Sequence, residues 1–208
     1  MNVLAVGAHY DDVDLGCSGT LINHVRRGDK VTIVVVTDSA YRNPEGEVVR
    51  SADVAYKEGL AAAKMIGADL ICLNYKTFFV PFDENLTKEI HSLLNELNID
   101  TVYSHWVHDI HRDHQYTAKS TLMAARHVPR VLMYRSNYYD SDQTFRDNFY
   151  SDISEVMGQK IATIKAHRSE LERVRWQWIE FFEHQNRNDG QKIGVKYAET
   201  FEIVRYLI

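Results

Sequence analysis

Cysteine is scarce in this chain, with Cys17 and Cys72 the only two among 208 residues. Two are too few for a disulfide framework, and their scarcity points to a reducing compartment and to small buried apolar side chains. Positive charge is not in surplus either. Twenty-four Lys and Arg stand against 29 Asp and Glu, a formal net charge of −5, which leaves no electrostatic footprint for nucleic acid. No apolar run approaches the roughly 18 residues needed to cross a bilayer, and the first residues read as a strand rather than a basic, then apolar leader. The expectation is a soluble cytoplasmic protein with no integral membrane segment, and nothing in it opposes a homo-oligomer. Internal repeats, low-complexity tracts and linkers are also missing, so a single domain over residues 1–208 is expected.

What the chain does have is an alternation of apolar strands and amphipathic helices. Val3–Val6 is followed by a helical pattern carrying Leu21, Ile22 and Val25 and closed by Gly28. Val31–Val36 is a continuous β-branched run, as a strand buried on both faces requires. A loop with Asn43, Pro44 and Gly46 leads to an Ala-rich helix closed by Gly67, then a strand at Leu70–Leu73, a Leu-patterned helix and a strand at Thr101–Ser104. Later come a strand at Val131–Tyr134, an irregular stretch over 136–145, helical spacing from Ile153 to Phe181, and a closing strand at Phe201–Ile208. The repetition predicts βαβ units: an α/β, Rossmann-like three-layer sandwich whose mostly parallel sheet carries helices on both faces.

Two stretches place imidazole and carboxylate groups where a predicted strand ends. The first is Ala8-His9-Tyr10-Asp11-Asp12-Val13-Asp14 and the second His111-Arg112-Asp113-His114. In an open parallel sheet the carboxyl ends of the strands share one edge and ligands bind in the crevice outside it, so both clusters should face one crevice. His9 and Asp12 are close enough in a tight turn to hold one ion, and His114 can supply a third ligand. Two His and one carboxylate leave a position open for water and substrate, as catalytic zinc sites do. Asp11 is then placed as general base. His111 is available to donate a proton or to stabilise an oxyanion as an imidazolium, and Asp113 to orient an imidazole. His105 and His108 read as crevice wall or packing residues.

Blander readings compete. A lone Asp or His at a strand end is more often a helix cap or turn former; four suited residues at one sheet edge are harder to explain that way. A dinucleotide-binding oxidoreductase would also begin with such a turn, but Gly7-Ala8-His9 lacks the G-x-G-x-x-G that admits a pyrophosphate. A non-catalytic metal- or sugar-binding protein would not need Asp11 and His111, and an amidase acting on another small N-acyl group would look the same.

The first stretch, followed by Gly16-Cys17-Ser18-Gly19-Thr20, resembles the opening signature of the PIG-L/LmbE-like zinc-dependent N-deacetylases, and His111-Arg112-Asp113-His114 resembles their second motif. The likeness continues in Phe149–Ile153, in Lys160 with His167-Arg168-Ser169, and in Tyr197–Phe201. Tyr10 and Arg112 stand where that family usually has proline, and Ser18 where it has glycine. The resemblance implies one Zn²⁺ or another divalent first-row metal on His9, Asp12 and His114, Asp11 as base and His111 as acid or oxyanion residue. It also implies removal of an N-acetyl group from an amino-sugar conjugate. Arg50, Asp109 and Arg112 are expected to bind substrate. Tyr138 and Tyr139 suggest a stacking wall for a sugar, and Arg42, Arg50, Arg112 and Arg135 together suggest an anionic group on the conjugate.

Overall fold

The computed structural model describes residues 1–208. In chain order the first half comprises β1 (Asn2–Gly7), α1 (Asp12–Gly16), α2 (Ser18–Arg26), β2 (Lys30–Thr37), β3 (Tyr41–Arg42), β4 (Val48–Arg50), α3 (Ala52–Ile66), β5 (Asp69–Tyr75) and α4 (Glu84–Glu96). The second comprises β6 (Thr101–His105), α5 (Arg112–Ala124), β7 (Arg130–Tyr134), β8 (Phe149–Asp152), α6 (Met157–Ala166), α7 (Arg168–Arg173), α8 (Gln177–Ile193) and β9 (Ala198–Tyr206).

Seven strands form one sheet in the order β5-β2-β1-β6-β7-β9-β8. The first five are parallel, and β9 runs antiparallel to both of its neighbours. Alternation along the central strands divides the core in two. Val3 and Ala5 of β1 join Val31, Ile33 and Val35 of β2 against Leu21, Ile66 and Met157. Leu4, Val6, Val34 and Val36 point the other way, against Leu86, Ile90 and Leu94 of α4 and Ala124 of α5. Because side chains alternate across a strand, an uninterrupted apolar strand feeds both cores, and the three-layer sandwich read from the sequence is the structure found.

Local signals account for several boundaries. Ser51 caps α3 by accepting the Val54 N–H, and Gly67, at φ 87°, ends it in the left-handed region that glycine enters without strain. Asp83 caps α4 by accepting the N–H groups of Asn85 and Leu86. Three features depart from the expectation. The 41–50 segment is a small β3–β4 hairpin, and Phe149–Asp152 is an edge strand zipped to β9. The helical spacing from 153 to 181 is shared among three helices, with Ile153 and Val156 ahead of α6; two consecutive left-handed residues, Arg175 and Trp176, turn the chain between α7 and α8. The periodicity survives because the pieces on either side of that break still bury apolar side chains together: Ile164, Leu171, Trp178 and Phe182 share one cluster.

The topology also locates the crevice. From β1 the chain crosses to β2 on one side, whereas β6 pairs with β1 on the other. Connections that diverge in this way open a gap at the carboxyl ends of β1 and β6. No helix of the protein is long and apolar enough to cross a membrane.

Candidate active site

His9 to Asp12 lie in the turn that carries β1 into α1. Asp11 holds the N-cap position of α1 but makes no capping hydrogen bond, and its side chain lines the crevice. Asp12, one residue on, folds back so that Oδ2 accepts the His9 N–H at 2.7 Å. At the end of β6 the chain turns into α5. His111 caps that helix by accepting the Asp113 N–H on Nδ1 at 3.2 Å, and His114 sits in the first turn.

Donor atoms from the two turns meet. His9 Nδ1 lies 3.3 Å from His114 Nε2 and 3.4 Å from Asp12 Oδ2, and His114 Nε2 lies 3.2 Å from Asp12 Oδ1. Donors on a tetrahedral centre with bonds of about 2.0–2.1 Å stand about 3.3–3.4 Å apart. One donor atom from each of the three residues lies within 4.8 Å of the other two, so together they could hold a single ion. The far side of each imidazole faces a carboxylate: His9 Nε2 is 3.3 Å from Asp113 Oδ2, and His114 Nδ1 is 3.1 Å from Asp109 Oδ2. Such partners orient the ring with its free lone pair toward a metal.

Electrostatics agree with a site built for positive charge. Burial works against the protonated form of His9, yet Asp12 and Asp113 raise it to about 9. Burial likewise opposes protonation of His114, and Asp12 with Asp109 raises it to about 10. Asp12, buried among three imidazoles, is held well below the ordinary carboxylate range because His114, His105 and His9 outweigh the cost of its burial. His111 behaves in the opposite way. Burial, together with the neighbouring His114 and His9, lowers it to about 4. Since its Nδ1 accepts the helix N–H, the neutral ring carries its proton on Nε2. In that tautomer Nε2 is the nitrogen that can donate toward the cavity.

These groups border a cavity of about 250 Å³ lined by His9, Asp11, Asp12, His111 and His114, with Ser39, Tyr41, Arg50, Thr77, Phe78, Ser136, Asn137, Tyr138, Tyr139, Glu170, Arg173 and Trp178 among its walls. Tyr138 and Tyr139 both line the cavity. Other sequence expectations are relocated. Asp109 is buried behind His114, where both of its oxygens accept from Asn137 Nδ2 at 2.7 Å, and it does not line the cavity. Arg112 donates to the Phe78 carbonyl at 2.6 Å and is likewise outside the cavity walls. Asp113, fully buried, accepts the Phe78 N–H at 2.6 Å, lies behind His9 and does not line the cavity. Arg135 lies over the Phe145 ring at 4.6 Å, and Arg42 donates to the Gly46 carbonyl. Of the four arginines, only Arg50 reaches the cavity.

His105 contributes more than a wall. Fully buried, its Nε2 lies 3.0 Å from Asp12 Oδ2, and its ring stacks on His114 at 4.1 Å between centroids. Its place at the last residue of β6, on the edge shared with His9, was the available signal. His108 is exposed and packs on Trp106. Ser136, which donates to Asp12 Oδ1 at 3.1 Å, carries no such signal in its neighbourhood. Tyr10, in place of the proline of related motifs, donates its backbone N–H to Ser39 Oγ at 3.1 Å, a bond that proline cannot make. Ser18 is buried, donating to the Asp14 carbonyl, and lies away from the cavity.

Comparison with known proteins places this site in context. A deacetylase of Escherichia coli (strain K12) described as uncharacterized, YaiS, is 25% identical over 175 residues, covering 80% of this chain and 90% of that protein. The diacetylchitobiose deacetylase of Thermococcus kodakarensis is 24% identical over 226 residues, covering 97% of this chain and 82% of that protein. Among solved structures, the N,N'-diacetylchitobiose deacetylase of Pyrococcus horikoshii in complex with its inhibitor superposes with a TM-score of 0.84 at 23% identity, over 98% of this chain and 83% of that one. That structure shares the fold of this chain. The model of the PIG-L family, GlcNAc-PI de-N-acetylase, matches residues 4–125, a span that runs from β1 through α5 and so carries both turns of the site. With more than half of its length matched, the chain belongs to the PIG-L, or GlcNAc-PI de-N-acetylase, family.

Proposed function

We propose that the protein is a metal-dependent hydrolase that removes the acetyl group from the nitrogen of a small amino-sugar conjugate, releasing acetate and a free amine. The observation that carries this reading is the convergence of His9, Asp12 and His114 on one point, bordered by a carboxylate, Asp11, that neither caps its helix nor belongs to the ligand set. His9, Asp12 and His114 would hold one divalent ion. Their chemistry suits zinc and also other first-row metals. Such an ion, when bound, polarises a carbonyl oxygen and brings the pKa of water to about 7.

The remaining chemistry belongs to the chain. Asp11 accepts a proton from the water that attacks the acetyl carbon and delivers it to the nitrogen as the C–N bond breaks. His111 donates its Nε2–H to the oxygen on which negative charge develops, a task for which its neutral form suffices. Asp109 and Asp113 keep His114 and His9 turned toward the ion. At about 250 Å³ the cavity is smaller than the roughly 300–1,000 Å³ of drug-sized sites; it suits the acetamido-bearing ring, with the rest of the conjugate outside. Phe78, Tyr138, Tyr139 and Trp178 offer flat apolar faces to that ring, and Ser39, Thr77 and Asn137 offer hydrogen bonds. Arg50 is already matched by carboxylates, which favours a neutral conjugate over an anionic one.

The test is acetate release by zinc-loaded protein from a panel of neutral and anionic N-acetylated amino-sugar conjugates. Asp12→Ala should lose metal and turnover together, whereas Asp11→Asn should keep the metal while kcat falls about 10²–10⁴-fold. A wild-type protein that binds zinc yet releases acetate from no member of the panel refutes the proposal in favour of another acyl group or a binding role.

A further inference from the structure

The sequence suggested that Arg50 receives substrate, but its surroundings assign it a different task. It ends β4, is only 3% exposed, and its guanidinium is met by three carboxylates. Nη1 lies 3.3 Å from Asp11 Oδ2 and 4.0 Å from Glu170 Oε1, while Nη2 lies 2.9 Å from Glu58 Oε2. Glu58, on α3, is tied down in turn by Ser169 at the start of α7. Its Oε1 accepts the Ser169 N–H at 2.7 Å and its Oε2 the Ser169 hydroxyl at 2.7 Å. Glu170 accepts from the Tyr41 hydroxyl at 2.8 Å and from Arg173 Nε at 2.7 Å.

Glu58 and Glu170 thus each have other donors, but Asp11 does not. The bond from Arg50 is the only hydrogen bond made to its side chain. The orientation of the Asp11 carboxylate about its own rotatable bonds therefore depends on where Arg50 sits, and Arg50 is set by Glu58. Within the cluster Asp11, Glu58 and Glu170 outnumber Arg50 and Arg173, so the Arg50 guanidinium is already matched by carboxylates. We propose that Glu58, fixed by Ser169, is a positioning residue that aims Asp11 through Arg50. The inference rests on the reading of Asp11 as the base. A base must come within about 2.6–3.2 Å of the proton it takes, and a misplacement of about 1 Å can cost about 10²-fold in rate.

The experiment uses the zinc-loaded full chain with Ser169→Ala, Glu58→Gln and Glu58→Ala, measuring kcat and KM separately, zinc content by atomic emission, and crystal structures of wild type and Glu58→Ala. Glu58→Ala should lower kcat about 10- to 100-fold, with KM within about twofold and zinc content unchanged. Glu58→Gln and Ser169→Ala, each keeping part of the network, should show smaller losses of the same kind; they decide the matter if Glu58→Ala does not fold. In the Glu58→Ala crystal structure the contact between Arg50 and Asp11 should be broken. A contact retained at its wild-type length, wild-type kcat in the Glu58 variants, or a rise in KM with kcat kept overturns the inference. The two readings fail separately. Full turnover by Asp11→Asn refutes the base, whereas loss in Asp11→Asn with full turnover in Glu58→Ala refutes only the relay.

Discussion

Replacing Asp113 by Asn tests the proposed metal centre from behind. The carboxylate is fully buried, lies 3.3 Å from His9 Nε2, and accepts the Phe78 N–H at 2.6 Å and the Val80 N–H at 3.4 Å. An amide of the same shape offers one acceptor where the carboxylate offers two. In the Oδ2 position its NH₂ faces both His9 Nε2 and the Phe78 N–H, and in the Oδ1 position it faces the Val80 N–H, so in either setting a buried backbone donor loses its partner. Loss of the negative charge also removes one of the two carboxylates that keep His9 basic, with a raised pKa of about 9. Substitutions in this position behind a metal ligand typically weaken metal binding about 10–100-fold, or about 1.4–2.7 kcal/mol. An unpaired buried N–H costs folding stability a further 1–3 kcal/mol or so, so affinity must be read on folded protein. Competition against a chromophoric chelator at neutral pH measures the zinc affinity of wild type and Asp113→Asn, with circular dichroism confirming the fold. Asp109→Asn should act similarly through His114. Zinc affinity of Asp113→Asn within twofold of wild type would refute the role given to this carboxylate.

The raised pKa values of His9, about 9, and His114, about 10, lie above the roughly 6.5 of an unfolded histidine. A raised folded pKa contributes stability that is fully present below about pH 6.5 and is lost as pH rises through the folded value. The Tm of metal-free protein should accordingly fall between pH 7 and 9, while the Tm gained on adding zinc grows over the same window as protons cease to compete. A flat metal-free profile, or a zinc effect that shrinks with pH, contradicts this. Lys160 donates to Glu199 at 2.7 Å and to the Leu15 carbonyl at 2.9 Å, and both side chains are fully buried. Lys160→Met leaves the Glu199 charge uncompensated and should cost about 3–5 kcal/mol in urea unfolding, with partial recovery on adding Glu199→Gln. A cost under about 1 kcal/mol would show the pair to be dispensable.

The layered architecture was legible in the residue order because hydrophobic periodicity is a local property. The short, β-branched run Val31–Val36 reads as a strand covered on both faces, and the Leu pattern from Leu86 to Leu94 as a helix with one apolar side. Strand ends were legible too, and with them the two turns that carry His9, Asp12 and His114. Where the local signal was weak, tertiary pairing decided: Phe149–Asp152 becomes a strand only because β9 lies beside it, and Arg42–Val48 pairs only within a hairpin of the 41–50 loop.

The residue types of the candidate centre were thus written in the sequence, but their division of labour was not. Asp11 and Asp12 are neighbours with identical side chains; the start of α1 sends one toward Arg50 and the other among three imidazoles. His111 and His114 differ only in that one caps α5 and the other stands inside its first turn. Asp109 and Asp113, outside the cavity lining, take their places from partners 28 and 104 residues away; Arg50, in the lining, meets Asp11 across 39, and His105 meets Asp12 across 93. Hydrogen bonds over such separations leave no periodicity in the chain, since nothing local to either residue depends on the other until the sheet has brought them together.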